Sequence, residues 1–307
     1  MAELRIERAE SDGDLADVVA VRSAVARLWE SGPELPQLRH SLTTSPGRRL
    51  YVARLDGEPV GCASAGSAVP GDPSEELPVQ ADVLPERRRR GVGSALLREA
   101  SAYAGALGRA ALVTECYEDD EQTLAFLARR GFVEIERQKA LVLELAGLDL
   151  PPPEAPPGVE IVSRAERDGL ERGMYEAGAD GARDIPGRDA GREPTFEEWR
   201  AWEIDQPGRD PRLAFVALVD GEVAGYATAG AIGGVGHNGL TVVRRAHRRR
   251  GIARALKLHQ LAAAKALGLP RLVTESEERN EPMRRLNASL GYRPVAGAVV
   301  LRGPLLG

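Results

Sequence analysis

The sequence predicts a mixed α/β fold, an α+β sheet with flanking helices, present twice in tandem. Three observations carry that expectation. One self-similarity runs through the chain at a fixed offset, hairpin signals open each half, and helical stretches alternate with short apolar runs. With 307 residues the chain is long enough for two domains.

The repeat organises everything else. The segment from Val83 to Gly93 ends in Arg-Arg-Arg-Gly-Val-Gly, and its partner from Val243 to Ala253 ends in Arg-Arg-Arg-Gly-Ile-Ala. Gly91 and Gly251 lie 160 residues apart, as do Thr114 and Thr274, and Gly131 and Gly291. Upstream, the Asp-Gly pairs at 56–57 and 220–221, with Gly61 and Gly225, keep an offset of 164, the mark of one short loop insertion. Between the halves stands Pro-Pro-Pro-Glu-Ala-Pro-Pro-Gly. Prolines lack an amide donor and disfavour helix at the preceding residue, so this reads as an extended linker. The expected organisation is an N-terminal domain over 1–150, a linker over 151–158 and a C-terminal domain over 159–307.

Each half reads in the same order. Residues 49–55 and 213–219 are strands, each followed by an Asp-Gly turn and a second strand, which is a hairpin signal. Residues 79–84 and 239–243 are further strands. Beyond the glycines, Val92, Ala95, Leu96, Ala100, Tyr103 and Leu107 recur with helical period, as do Ile252, Ala255, Leu256, Ala263 and Leu267. Residues 111–114 and 271–274 read as short strands. A helix follows each and ends at Gly131-Phe132 or Gly291-Tyr292.

Composition sets the outer bounds. Hydrophobic residues at 43% and charged residues at 28% describe a globular chain and exclude a disordered or collagen-like one. Forty-one basic against 46 acidic residues give a net charge of −5, which argues against a globally basic nucleic-acid coat. DNA binding through the arginine clusters therefore ranks last. No apolar run approaches the roughly 18 residues of a membrane helix, and the start, Met-Ala-Glu-Leu-Arg, lacks a leader pattern. A cytoplasmic protein without membrane attachment is expected. The preference for arginine over lysine points to a GC-rich bacterial genome. Two cysteines, Cys62 and Cys116, make neither a disulfide framework nor a metal set, so no metal is expected.

The order strand, Arg-x-x-Gly-x-Gly/Ala, helix presents a run of backbone amides at the positive end of a helix. A phosphate or diphosphate docks at such a place. Gly91, Gly93 and Gly251 carry no side chain to hold a ligand off the backbone, and Ala253 is the next smallest residue. Other phosphate loops fit less well. There is no Gly-x-x-x-x-Gly-Lys-Ser/Thr element, and the third position of Gly-x-Gly-x-x-Gly is Leu96 or Leu256. A solvated basic turn is the competing reading of the arginines.

On these residues, and on Thr241-Val242-Val243, Leu256-Lys257, Thr274 and the string from Asn280 to Tyr292, each half resembles the GNAT superfamily of acyl-CoA-dependent N-acyltransferases. The second half is similar to tandem bacterial members distantly related to mycothiol synthase. The resemblance implies two tandem GNAT-type domains with acetyl-CoA as cofactor. It implies strand contacts to pantetheine from Thr241, Val242 and Val243, and from Ala81, Asp82 and Val83 in the first half. The diphosphate falls on the turns Arg248, Arg249, Arg250, Gly251, Ile252, Ala253 and Arg254, and Arg88, Arg89, Arg90, Gly91, Val92, Gly93 and Ser94, and Asn280 adds a contact. The strands before and after this helix splay apart in the family, and the pantetheine arm lies in the gap.

An acceptor amine of pKa roughly 10 is protonated at neutral pH, so the enzyme must remove a proton and stabilise a leaving thiolate. His237 lies where some GNAT enzymes carry a glutamate base; strand alternation puts it on one face with Gly239, Thr241 and Val243. The competing reading is a core or loop histidine, and the first half has Leu77 at that point of the repeat. Many family members place an acidic tyrosine where this chain has Leu127 and Asn287. Asn287 can donate a hydrogen bond but is no proton acid. Asn280, Arg284 and Asn287 share a helical face, either to bind CoA or to face solvent.

Other polar residues are weaker candidates. Glu275 is repeated as Glu115, which favours a role in the fold, and Cys116 reads as a buried thiol. His247 and His259 read as scaffold, and Trp199 and Trp202 as core. Residues 178–194 read as a loop, and the resemblance implies that it walls the acceptor pocket. Within it Asp184 either receives a cationic substrate or shapes a turn. The expected activity is acetyl transfer to a primary amine, of a small molecule or a protein, through a direct ternary complex. Chemistry is assigned to the second half, and the first half either holds CoA or has lost it. The alternative is a catalytically silent acyl-CoA-binding scaffold.

Overall fold

A computed structural model of the chain describes residues 3–27, 32–45, 47–67, 74–182, 184 and 193–307. It divides into two compact units, Met1–Gln138 with Ala296–Gly307, and Lys139–Val295. The first contains β1 (Leu4–Arg8), α1 (Asp12–Val25), α2 (Leu35–Thr44), β2 (Arg49–Leu55), β3 (Glu58–Ala65), β4 (Glu76–Val83), α3 (Val92–Ala106), β5 (Ala111–Tyr117), α4 (Glu121–Ala128) and the start of β6 (Val133–Glu144). The second contains the end of β6, then β7 (Glu160–Ser163), α5 (Glu171–Ala182), α6 (Phe196–Glu203), β8 (Phe215–Val219), β9 (Glu222–Ile232), β10 (Val235–Val243), α7 (Ile252–Ala266), β11 (Arg271–Glu277), α8 (Glu281–Ser289) and the start of β12 (Arg293–Pro304).

Local chemistry explains the elements. Asp56 and Gly57, and Asp220 and Gly221, all take positive φ, as the two-residue hairpin turns between β2 and β3 and between β8 and β9 require. Capping boxes at Ser11/Asp14 and Thr195/Glu198 start α1 and α6 by satisfying amides that the first turn leaves free. The helix α3 buries Val92, Leu96, Leu97, Ala100, Tyr103 and Ala104 against Val60, Leu77 and Val79. In the second unit Ile252 and Leu256 of α7 pack on Ala217, Ala224, Ala227 and Val243.

Each unit holds a mostly antiparallel sheet with one parallel step. The order is β1-β2-β3-β4-β5-β12 in the first and β7-β8-β9-β10-β11-β6 in the second, and the parallel pairs are β4–β5 and β10–β11. The compact units therefore do not follow the division at 1–150, 151–158 and 159–307. The first unit is closed by the chain's last strand, with Ala298 to Pro304 antiparallel to Tyr117 to Ala111. The second is closed by β6, whose Leu141 and Leu143 join Leu272 and Leu290 in its core. The chain passes between units at Gln138, and residues 151–158 lie inside the second. The physical reason is the duplication itself. The edges Ala-Leu-Val-Thr-Glu of β5 and Arg-Leu-Val-Thr-Glu of β11 are nearly the same, so either closing strand suits either edge.

Candidate functional site

The Arg-x-x-Gly turns come out alike in both units. Gly91 and Gly251 are the N-caps of α3 and α7, in left-handed conformation at φ 84° and 82°, with no side-chain cap. Arg89 and Arg249 also take positive φ, at 62° and 60°, an uncommon conformation for a side-chain-bearing residue. The first amides of each helix have no intrahelical acceptor. A Cβ at Gly91 would meet nothing within 4 Å, and one at Gly251 only Pro156 Cγ at 3.7 Å, so the space outside each turn is open. Arg88 Nε donates to Val83 O at 3.5 Å and Arg248 Nε to Val243 O at 3.1 Å, which ties each turn to the strand before it. Arg248 also pairs with Asp184 at 2.6 Å. Asp184 bonds Arg245 as well, and the two guanidiniums hold its carboxyl well below the usual range. It therefore braces the turn. Of the expected acceptor loop over 178–194, residues 178–182 instead form the end of α5, and 183 and 185–192 lie outside the described residues.

Next to each turn the parallel strands part. In the first unit β4 and β5 pair at Glu76–Ala111, Leu77–Leu112 and Pro78–Val113, and in the second β10 and β11 pair at Gly236–Leu272 and His237–Val273. Beyond these pairs no further pairing of β4 with β5 or of β10 with β11 occurs among the described residues, and a wedge opens there. The wedges differ. A β-bulge between Asn238 and Thr241 adds one residue to β10, whereas β4 runs along β3 without a break. This corrects two expectations. His237, opposite Val273, is the counterpart of Pro78 and not of Leu77. The extra residue also shifts the alternation, so His237, opposite Gly230, shares a face with Val242, opposite Tyr226, and not with Thr241.

On the His237 face stands a polar group that the sequence reading missed. Thr228 Oγ1 donates to Glu203 Oε1 at the end of α6, and Glu203 pairs with Arg209 at 3.5 Å. Glu203 is fully buried. The bulge residue Gly239 makes room for this group, since a Cβ there would meet Arg209 Nη1 and Thr228 Oγ1, each at 2.4 Å. Burial, helped by the charge of Arg209, pushes the His237 imidazolium below its usual value and favours the neutral ring. One signal for Glu203 existed in the sequence: it stands four residues after the core residue Trp199, on the buried side of the same helix. Trp199 is core as expected, while Trp202 is 41% exposed.

On the other face Asn238 Nδ2 donates to Tyr292 Oη at 2.7 Å, and the Lys257 ammonium lies 5.7 Å over the Tyr292 ring. Lys257 is 1% exposed, and burial pushes it down to about 7. Asn287 is wholly buried, which removes the solvent-facing alternative, and neither of its amide atoms has a partner. Thr241 Oγ1 and Asn238 Oδ1 are buried and unpartnered too. Asn280 caps α8, accepting from Met283 N at 3.4 Å. The first unit has Leu127, buried in its apolar cluster, at the place of Asn287. Cys62 and Cys116 are pushed up to about 12 and about 11 by burial, so neither is a ready nucleophile. His259 and His247 make local bonds, to Ala255 O and to Arg250.

Acetyl-CoA fits this arrangement. An open amide turn suits its diphosphate, the parted strands offer backbone groups to an amide-bearing arm, and the unpartnered Thr241, Asn238 and Asn287 need hydrogen-bond partners that a ligand can bring.

Comparisons with known proteins agree. The model of the acetyltransferase (GNAT) family matches residues 20–132 and 180–292. A mycothiol acetyltransferase of Parafrankia sp. (strain EAN1pec) is 28% identical, over 100% of both chains. Another, of Thermobifida fusca (strain YX), is 30% identical across 91% of this chain and 89% of its own. A tandem GNAT protein from the clavulanic acid biosynthesis pathway has the same fold, with a TM-score of 0.79 at 24% identity over 99% of each chain. A GCN5-related N-acetyltransferase from Sphaerobacter thermophilus follows at 0.73 and 20% identity, over 99% of this chain and 96% of its own. The chain belongs to the acetyltransferase (GNAT) family, as a tandem acyltransferase that uses acetyl-CoA.

Proposed function

We propose that the second unit carries the chemistry, acetylating a primary amine bound on the His237 face of β10. The observation that supports this most is the set of buried, unpartnered polar atoms at Thr241, Asn238 and Asn287, the last of which has the apolar Leu127 as its counterpart in the first unit. The amides of Ile252, Ala253 and Arg254 would hold the diphosphate, with the edge of Thr241, Val242 and Val243 along the arm. When bound, acetyl-CoA supplies an acyl carbon activated as a thioester. Neutral His237 takes the proton from the acceptor ammonium, directly or through a water, and Arg209 and Glu203 fix the polarity around it. Asn287 offers an N–H hydrogen bond to the departing sulfur in place of a proton acid. Relatives named mycothiol acetyltransferases make mycothiol-type acceptors the first to assay, ahead of other small-molecule and protein amines. A cytoplasmic location, and no nucleic-acid partner, belong to the same proposal.

The test is a pair of variants in the same assay for acetylated product by mass spectrometry. Gly251→Glu puts a carboxylate into the second turn and a strained φ at its N-cap, and should abolish transfer. Gly91→Glu should leave most of it. Loss through Gly91→Glu alone would move the chemistry to the first unit, and no product from any amine would favour the silent scaffold.

A further inference from the structure

We propose that the wedge between β4 and β5 of the first unit is a carboxylate-binding pocket in which Arg48 receives the anion. The wedge holds a cavity of about 220 Å³ whose lining includes Arg48, Ser64, Gln80, Val113, Glu115 and Val300. At roughly 30 Å³ per water, that is room for a small organic acid.

An unengaged guanidinium points to an anion. Arg48 Nε is buried with no hydrogen-bond partner, and among the described residues no carboxylate pairs with this guanidinium. Burial and the nearby charge of Arg22 both disfavour its charged form, yet a guanidinium stays protonated in a protein. Asp82, two residues along β4 from the lining residue Gln80, is paired with another arginine. Arg22 pairs with it at 3.5 Å and donates to Ser64 Oγ at 3.0 Å. Glu115, which also lines the cavity, is exposed. Two cations, Arg22 and Arg48, thus stand with two acids, Asp82 and the exposed Glu115, and the fork of Arg48, which neither acid engages, matches a carboxylate in shape.

The backbone under Arg48 is pinned. Its N–H donates to Ser45 O at 2.8 Å, and Tyr103 Oη donates to the neighbouring Gly47 O at 2.6 Å. Gly66, at φ 133°, lets the end of β3 pass close by, since a Cβ there would lie 2.7 Å from Arg48 Cα. The corresponding place in the second unit is balanced differently. Thr228 stands where the first unit has Ser64, and bonds to the buried acid Glu203, which pairs with Arg209. The first wedge suits an anion, and the second offers a buried carboxylate beside the face proposed for an amine.

Calorimetric titration of the full chain with succinate, its neutral analogue succinamide, and inorganic phosphate tests the assignment. Succinate should bind once per chain and succinamide should not. Arg48→Met should weaken succinate by about tenfold or more, and Arg48→Lys, which keeps charge but loses the fork, by a smaller factor. Circular dichroism melting identifies a variant that has not folded, and in that event Arg48→Lys carries the test. Unchanged succinate affinity in a folded Arg48→Met protein, binding of phosphate alone, or no binding to the unaltered chain would each overturn the proposal. The titration needs no acetyl transfer, so its failure leaves the catalytic assignment of the second unit standing, and the reverse holds as well.

Discussion

Four residues before Gly131 the first unit has Leu127, packed with Leu96 and Phe132; four before Gly291 the second has Asn287, equally buried and with nothing for its amide to hold. Leu97 on α3 faces its own core, whereas its repeat partner Lys257 on α7 is a buried amine. Ser64 serves an arginine and Thr228 serves a glutamate. The bulge occurs in β10 and not in β4. Against these differences, the Arg-x-x-Gly turns agree to within a few degrees at Gly91 and Gly251. A turn that acts through backbone amides constrains only conformation and small size, so it outlasts duplication. A wedge that acts through side chains can diverge to new chemistry.

That contrast can be broken most sharply at His237. His237→Gln should lower kcat by about 10²–10⁴. Because burial depresses the His237 pKa, the unaltered enzyme should lose kcat only as pH falls through a midpoint below 6.5, and hold its rate above it. A pH–rate profile whose acid limb survives in the variant would remove His237 from the mechanism.

The repeat partners Leu127 and Asn287 can be exchanged one for the other. Leu127→Asn places an unpartnered amide in an apolar core and should cost about 3 kcal/mol of stability in urea denaturation. Asn287→Leu should do the opposite, raising stability by about 2 kcal/mol while slowing acetyl transfer. Two losses of stability would mean that Asn287 has partners within the protein.

A smaller effect is expected at Lys257. Its folded pKa of about 7 lies below its unfolded value, so between the two the unfolded chain binds one more proton and stability rises with pH. From pH 7 to pH 8 this contribution is roughly 1 kcal/mol. Lys257→Met should remove that share of the slope, as read from urea midpoints at the two pH values.

Much of the fold was legible because its signals are local. Asp56-Gly57 and Asp220-Gly221 demand hairpins, and Gly91 and Gly251 demand left-handed turns ahead of helices. The exchange of closing strands was not legible, because β5 and β11 present nearly equal edges and no pattern along β6 or β12 distinguishes them. The face of His237 was misread for another reason. One inserted residue inverts strand alternation, and nothing at Gly239-Leu240 announces a bulge. Glu203 was missed because its role depends on a partner far along the chain, Thr228.

A crystal structure with acetyl-CoA decides whether the second unit's unpartnered polar atoms take up the cofactor. The diphosphate should lie on the amides of Ile252, Ala253 and Arg254, with Asn287 and Thr241 hydrogen-bonded to the ligand or to water ordered by it. A cofactor seated only on the turn at Gly91, with Asn287 still unpaired, would contradict that expectation.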